Sequence, residues 1–472
     1  MKKILIYIVL ISSFGFLSSC EDSISDLNKN PNISLTANPQ QVLTAAMAYT
    51  NYIVDAQYNR RSFMWAQYLT WGPGVAVGEI ERNILNGADY DNVWSRSYAN
   101  ALADLEFVRN SEATAHSGIA QILKAYLFQA LVDHFGDVPF NESLAGELTG
   151  NFAPAYDDDE AIYEALIPMI DDGLDKLSAA DNEVGAEDLI FSGDLNSWIK
   201  FGNSLKLRIL MRQSLVNPDV AGAVQEIISN GNLIESSEDI VGIPAVDVAG
   251  NQNPMFAIME SGVGNFYIAS STTFDHLTSL NDPRIDAFYL PAENTGAHKA
   301  ILQGSIDDEP FTNSVADYSQ MGPVPYAAGA EVILMSDWEV WFLRAEAAER
   351  FGTADDAATA YANAITANFD YLGVEGAADY ISSRDFANQA NKVDEIGEQK
   401  WISMNGLQES EGWIESRRFN HINESILVDS KISVLPSGVF PSIWFYSADE
   451  LAKNPNSPNQ RTEVTDKVFW DN

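Results

Sequence analysis

The segment from Ser336 to Ile365, SDWEVWFLRAEAAERFGTADDAATAYANAI, leaves little freedom in its local structure. Ser336 and Glu339 have the spacing of a capping box, in which each side chain satisfies an orphan amide of a first helical turn. Trp341, Ala345 and Ala348 then recur at helical spacing, and Gly352 stands where a helix ends in positive φ. Thr353 and Asp356 repeat the box, and Ala357, Tyr361, Ala364 and Ile365 give a second helix one apolar face. The spacing predicts two antiparallel helices joined by one tight turn.

Counted from Trp341, the order is small at +4, Gly at +11, Ala at +16, aromatic at +20 and Ala at +23. That is the tetratricopeptide-like pattern, in which small residues let paired helices approach closely; an ordinary helical hairpin is the alternative. Neither contains any chemistry, so function has to be sought in the rest of the chain.

The N-terminus is the next specific signal. Lys2 and Lys3 precede an apolar run of 14 residues, Ile4 to Leu17, too short to span a bilayer comfortably but suited to a secretory leader. Leu17-Ser18-Ser19-Cys20 follows and looks like a bacterial lipobox, which implies cleavage before Cys20 and its lipidation. Several acyl chains at Cys20, the sole cysteine, would anchor the protein firmly to a membrane. Residues 1–19 then read as a signal peptide and 20–37 as a polar, lipidated tether. The formal charge of −40, or −42 once Lys2 and Lys3 are removed, repels phosphate backbones, so no nucleic acid partner is expected.

Residues 38–472 read as one domain of helical pairs, about 38–231 and 333–420, around a loop-rich insert of about 232–332. Asn38-Pro39 supplies a cap and a first-turn proline, and Ser117 to Phe135 is strongly periodic up to Gly136. The acids Asp157 to Glu160 suggest calcium, but they open a helical pattern and suit a first turn better. In the insert, periodicity fades into short helices, β-prone runs such as 265–269 and a small hairpin. The fold class expected is mainly α, a tetratricopeptide-like helical-repeat scaffold whose loop-rich insert forms the ligand-binding face.

No nucleophile elbow, zinc-binding H-E-x-x-H or phosphate-binding loop occurs, and the five histidines form no i, i+4 pair. His134, near a helix end, reads as a polar terminus. No catalytic residue, cofactor or metal is assigned. Loop aromatics stand out instead: Trp65, Tyr68 and Trp71 beside Gly72-Pro73-Gly74, and Phe266, Tyr267 and Tyr318 in the insert. Aromatic faces stack on the C–H faces of sugars while their polar edges orient hydroxyls. These six are the candidate ligand-binding residues, with a place in the core as the competing reading for each.

Taken in order, several stretches resemble the SusD/RagB family of outer-membrane nutrient-binding lipoproteins. They are the lipobox at Cys20, Asp26 to Pro31, the Asp133-His134-Phe135-Gly136-Asp137-Val138-Pro139 segment, Trp198 to Arg208, Asp282-Pro283-Arg284, Glu339 to Ala348, Gln399-Lys400-Trp401 and Gly412 to Arg418. Gly202 stands where the family has alanine. The resemblance implies a non-enzymatic cell-surface protein of a Gram-negative bacterium, anchored in the outer membrane by lipid. It further implies that the protein captures oligosaccharide and passes it to a SusC-like TonB-dependent transporter. Peptides as ligand, a surface glycoside hydrolase and a pure protein-binding scaffold are the rival expectations.

Overall fold

The computed structural model describes residues 37–74, 78–260 and 266–471, so the expected leader, Cys20 and all but the last residue of the expected tether lie outside the described residues. Ten helices carry the framework: α1 (Pro39–Tyr52), α2 (Arg60–Trp65), α3 (Ala103–Arg109), α4 (Thr114–Phe135), α5 (Asp159–Ser178), α6 (Leu195–Arg212), α7 (Asp337–Phe351), α8 (Ala357–Leu372), α9 (Lys392–Met404) and α10 (Glu409–Arg418). α4 lies along α5, α5 along α6, α7 along α8 and α9 along α10, while α10 also packs on α2 and joins the two halves. The mainly α, tetratricopeptide-like scaffold is therefore the observed architecture. Among the described residues no helix is long and apolar enough to cross a membrane.

Local chemistry explains the helix ends. The Asn38 side chain accepts from the Gln40 amide with Pro39 in the first turn. Asp158 caps α5 by accepting from the Ala161 amide, so the acidic run does open a helix. Ser336 caps α7 and Gly352 ends it at φ +64°. The reciprocal half of the expected box is not made, because Glu339 turns inward to Arg208 and Gln408 instead. Thr353 does not cap α8 either; Asp356, adjacent to its first turn, accepts from the Thr359 amide.

The insert holds short helices, such as Pro254–Ile258 and Ser271–Leu280, and two short strands. Those strands do not form the expected hairpin with each other. β1 (Leu69–Trp71) pairs antiparallel with β3 (Tyr267–Ala269), and β2 (Val241–Ile243) with β4 (Val332–Met335). Each three-residue strand of the insert finds its partner in a flanking segment, so the insert is stitched to the scaffold on both sides.

The expected polar role of His134 is also corrected. The ring is buried among Tyr58, Trp413 and Trp444, with Nδ1–H donating to the Ala130 carbonyl at 2.7 Å and Nε2 accepting from Ser410 at 3.0 Å. Burial holds its pKa down at about 3, so it stays a neutral core side chain.

Candidate functional site

The register of β1 and β3 sets Trp71 opposite Tyr267, and their rings stack with centroids 4.4 Å apart at 28°. Tyr267 is itself buried, with Phe63 edge-on behind it at 4.7 Å. Trp71 and Phe266 remain half-exposed. The Gly72 amide donates to the Phe266 carbonyl at 2.6 Å, which lays the 72–74 turn against Phe266. Gly78 lets the chain pass across Trp71, since a Cβ there would come within 2.6 Å of the indole nitrogen. Two stretches that are far apart in sequence thus form one aromatic surface at the margin of the insert.

Beneath this surface lies a polar clasp. Glu81 is buried and accepts from the Thr70 hydroxyl, from the Trp71 amide at 3.2 Å and from the Gly304 backbone. Burial outweighs those hydrogen bonds and pushes its pKa above the usual carboxylate value. Gln303 donates to the Leu69 carbonyl and accepts from Ser270, so the insert loop is tied to both strands. Beside the clasp, Asn83, Ile84 and Leu85 face Val434, Leu435 and Pro436 across an open groove of about 500 Å³.

Three of the six aromatic candidates are core rather than platform. Tyr68 is fully buried, and its hydroxyl donates to the Trp401 carbonyl at 2.5 Å. Trp65 is buried against Trp413 and donates to the Ile80 carbonyl. The physical reason is that α1 runs on through π-helical turns at Ile53–Asn59 into α2, which places Trp65 in the α2–α10 contact, and the turn after α2 carries Tyr68 against Gly412 of α10 and Trp401 of α9. Tyr318 is buried in a small cluster with Ile268, Ile301 and Ile306, its hydroxyl bound to Glu309 and Asn313. Tyr267 backs Trp71 without presenting a free face of its own.

One ring escaped the sequence reading. Phe311 is fully exposed on a turn closed by the Asn313 amide and the Pro310 carbonyl, tied to Tyr318 through Glu309 and Asn313. Its signal in the sequence is a proline followed by an aromatic residue just after three acids, Asp307-Asp308-Glu309-Pro310-Phe311.

Among the described residues, Asp137, Asp158 and Asp159 bring carboxylate oxygens within 4.8 Å of one another. Each already accepts from a backbone amide, those of Asp159, Ala161 and Phe469 respectively. Burial raises the Asp159 pKa to about 6.

A SusD-like family model, described as starch-binding and associating with outer membrane, matches residues 29–432. Among solved structures, a chitin-binding protein is 24% identical, with a TM-score of 0.77 over 92% of this chain and 100% of its own. A chitin-binding SusD homolog from Flavobacterium johnsoniae is 21% identical, with a TM-score of 0.75 over 92% and 97% of the two chains. A SusD-like protein from Bacteroides thetaiotaomicron is 21% identical, with a TM-score of 0.78 over 92% and 99%. No curated protein matches.

Proposed function

The chain belongs to the SusD-like, starch-binding, outer-membrane-associated family, and from that premise we propose that it captures oligosaccharide at the cell surface without catalysis. In this reading Cys20 carries the lipid anchor after removal of residues 1–19, residues 20–37 form the tether, and residues 38–472 form the single binding domain. Captured glycan passes to a partner TonB-dependent transporter in the outer membrane. One observation carries the assignment: strand pairing places Trp71 over Tyr267 and beside Phe266 on the loop-rich side. The chitin-binding relatives and the family's starch description point to β- or α-linked glucose-type sugars as first ligands to try. A peptide ligand is the second reading, favoured by the charge of −40, which would attract basic chains.

The Trp71→Ala variant should weaken binding of chito- or malto-oligosaccharides by about 1–3 kcal/mol, the range of aromatic stacking platforms, while its Tm stays close to that of the parent. Tyr68→Ala should do the reverse, losing about 3–5 kcal/mol of stability as a buried aromatic truncated to alanine. Calorimetric titration with thermal melts separates the two effects. Undiminished affinity in Trp71→Ala would remove this surface from the site.

A further inference from the structure

Positive charge is placed unevenly in this chain. Almost every Lys and Arg of the described residues has a carboxylate within 4.0 Å, as expected where acids outnumber bases 67 to 27. Among those residues the exceptions are Arg60, Arg61, Arg82, Arg96 and Arg417. Arg417 is buried and donates to the Ser442 and Asp133 carbonyls, and Arg96 lies over the Tyr52 ring, 4.8 Å from its centre. The other three border the stack of Trp71 on Tyr267.

Arg82 directly follows Glu81, the acid whose carboxylate accepts from the Trp71 amide. Glu81 is buried in the clasp, whereas Arg82 is exposed and its guanidinium has no hydrogen bond or ion pair among the described residues. Arg60 and Arg61 open α2 and are half-exposed, and the Tyr267 hydroxyl feels the charge of Arg60 and, more weakly, that of Arg61. Arg60 gives its Nε to the Ala56 carbonyl at 3.0 Å, and Arg61 gives its two Nη groups to Gln57 and the Asp89 carbonyl at 2.7 Å, so neither meets a carboxylate. The exposed acids nearby in sequence, Glu79 and Asp89, form no ion pair with any of the three. Carboxylates farther off count for less, because the Debye length is about 8 Å at physiological salt. A guanidinium fork fits the two-oxygen edge of a carboxylate and the oxygens of a sulfate, and an aromatic face fits a sugar ring.

We infer that the ligand of this surface is an acidic oligosaccharide, with a sugar ring on Trp71, a carboxylate or sulfate group on Arg82, and Arg60 and Arg61 adding positive potential. This inference rests on the glycan-binding reading given above, and it opposes basic peptides as ligands here.

Calorimetric titration at low salt compares matched ligands that differ in charge: oligogalacturonate with its methyl ester, and sulfated chito-oligosaccharide with the unsulfated chain. At least one acidic member should bind about tenfold tighter than its neutral counterpart, and the difference should shrink as salt is raised. A preference confined to galacturonate assigns a carboxylate, and one confined to the sulfated chain assigns a sulfate ester. Arg82→Gln, at an exposed position outside the clasp, should remove most of the preference while melting temperature and affinity for the neutral member stay unchanged. Arg60→Gln should reduce the preference by a smaller factor. Equal or weaker binding of the acidic members, or a preference that survives in both variants, overturns the inference and leaves glycan binding standing. No binding of any of these ligands or of malto-oligosaccharide by the parent overturns the glycan reading itself, and the charge assignment with it.

Discussion

Replacing Arg418 by alanine is expected to lower the stability of the fold by about 3–5 kcal/mol, because it leaves two buried carboxylates without their main counter-charge. Arg418 is buried at the end of α10 and forks onto both oxygens of Glu346 at 2.6 Å, while its Nε and Nη2 reach Glu415 at 3.0 and 2.7 Å. Glu415 also takes Arg212 at 2.6 Å, and Lys400 lies 3.1 Å away as an ion pair. Burial alone would raise the Glu415 pKa; the charges of Arg418, Lys400 and Arg212 outweigh it and hold the carboxylate far below its usual range. Arg418→Lys should recover little, since one ammonium cannot present the planar fork that serves two carboxylates. Denaturant unfolding at neutral pH measures both variants; a loss below about 1 kcal/mol for Arg418→Ala would show that the network contributes little.

The same network shows what was legible in the sequence and what was not. Helix positions were readable because caps and periodicity are local: Asn38, Ser336 and Gly352 act through neighbours a few residues away. The stretches that carry the family resemblance were readable as patterns, but their work was not. Arg208 pairs with Glu339 across 131 residues and Arg418 with Glu346 across 72, separations that no window of periodicity spans. These motif residues hold helices together through buried ion pairs.

The candidate site was half-legible for a related reason. Aromatic enrichment points to Trp71, Phe266 and Tyr267 one by one, and the structure brings their segments together, yet nothing in three-residue strands announces that β1 seeks β3. Trp65 and Tyr68 share the local composition of Trp71, and what separates core from surface is tertiary: α2 and the turn after it face α10 and α9, contacts distant in sequence. Ser336–Ile365, the clearest pattern in the chain, proves to be scaffold, with Glu339 and Glu346 given over to buried ion pairs.

A second large effect concerns pH. Glu409, the first residue of α10, is buried, and desolvation followed by the nearby Asp55 charge raises its pKa from 4.5 to about 8. Below pH 4.5 the carboxyl is protonated in folded and unfolded chains alike, and its stabilising contribution is complete. As pH rises toward 8, the unfolded chain ionises while the folded one keeps its proton, so stability falls by up to about 1.4 kcal/mol per pH unit. Asp55, raised to about 6 by burial, adds a loss of the same sign. His134 acts oppositely: held neutral in the fold, it withdraws stability as pH falls from 6.5 toward 3. Glu409→Gln keeps the shape and removes the ionisation. It should match the parent at pH 4 and exceed it by about 4 kcal/mol at pH 8, the greater part of the window between the two pKa values. Urea unfolding at pH 4, 6 and 8 reads this directly, and parallel profiles for parent and variant would contradict it.

The surface built on Trp71, Phe266 and Tyr267 is proposed as the glycan contact of a binding protein. Calorimetric titration of the purified protein with a panel of chito- and malto-oligosaccharides, alongside basic peptides, decides whether it is. Reducing ends are assayed in the same samples. The expected result is saturable binding of at least one glycan series, no release of reducing sugar, and no comparable binding of peptides. Salt-sensitive binding of peptides with no heat from any glycan, or release of reducing sugar, would contradict it.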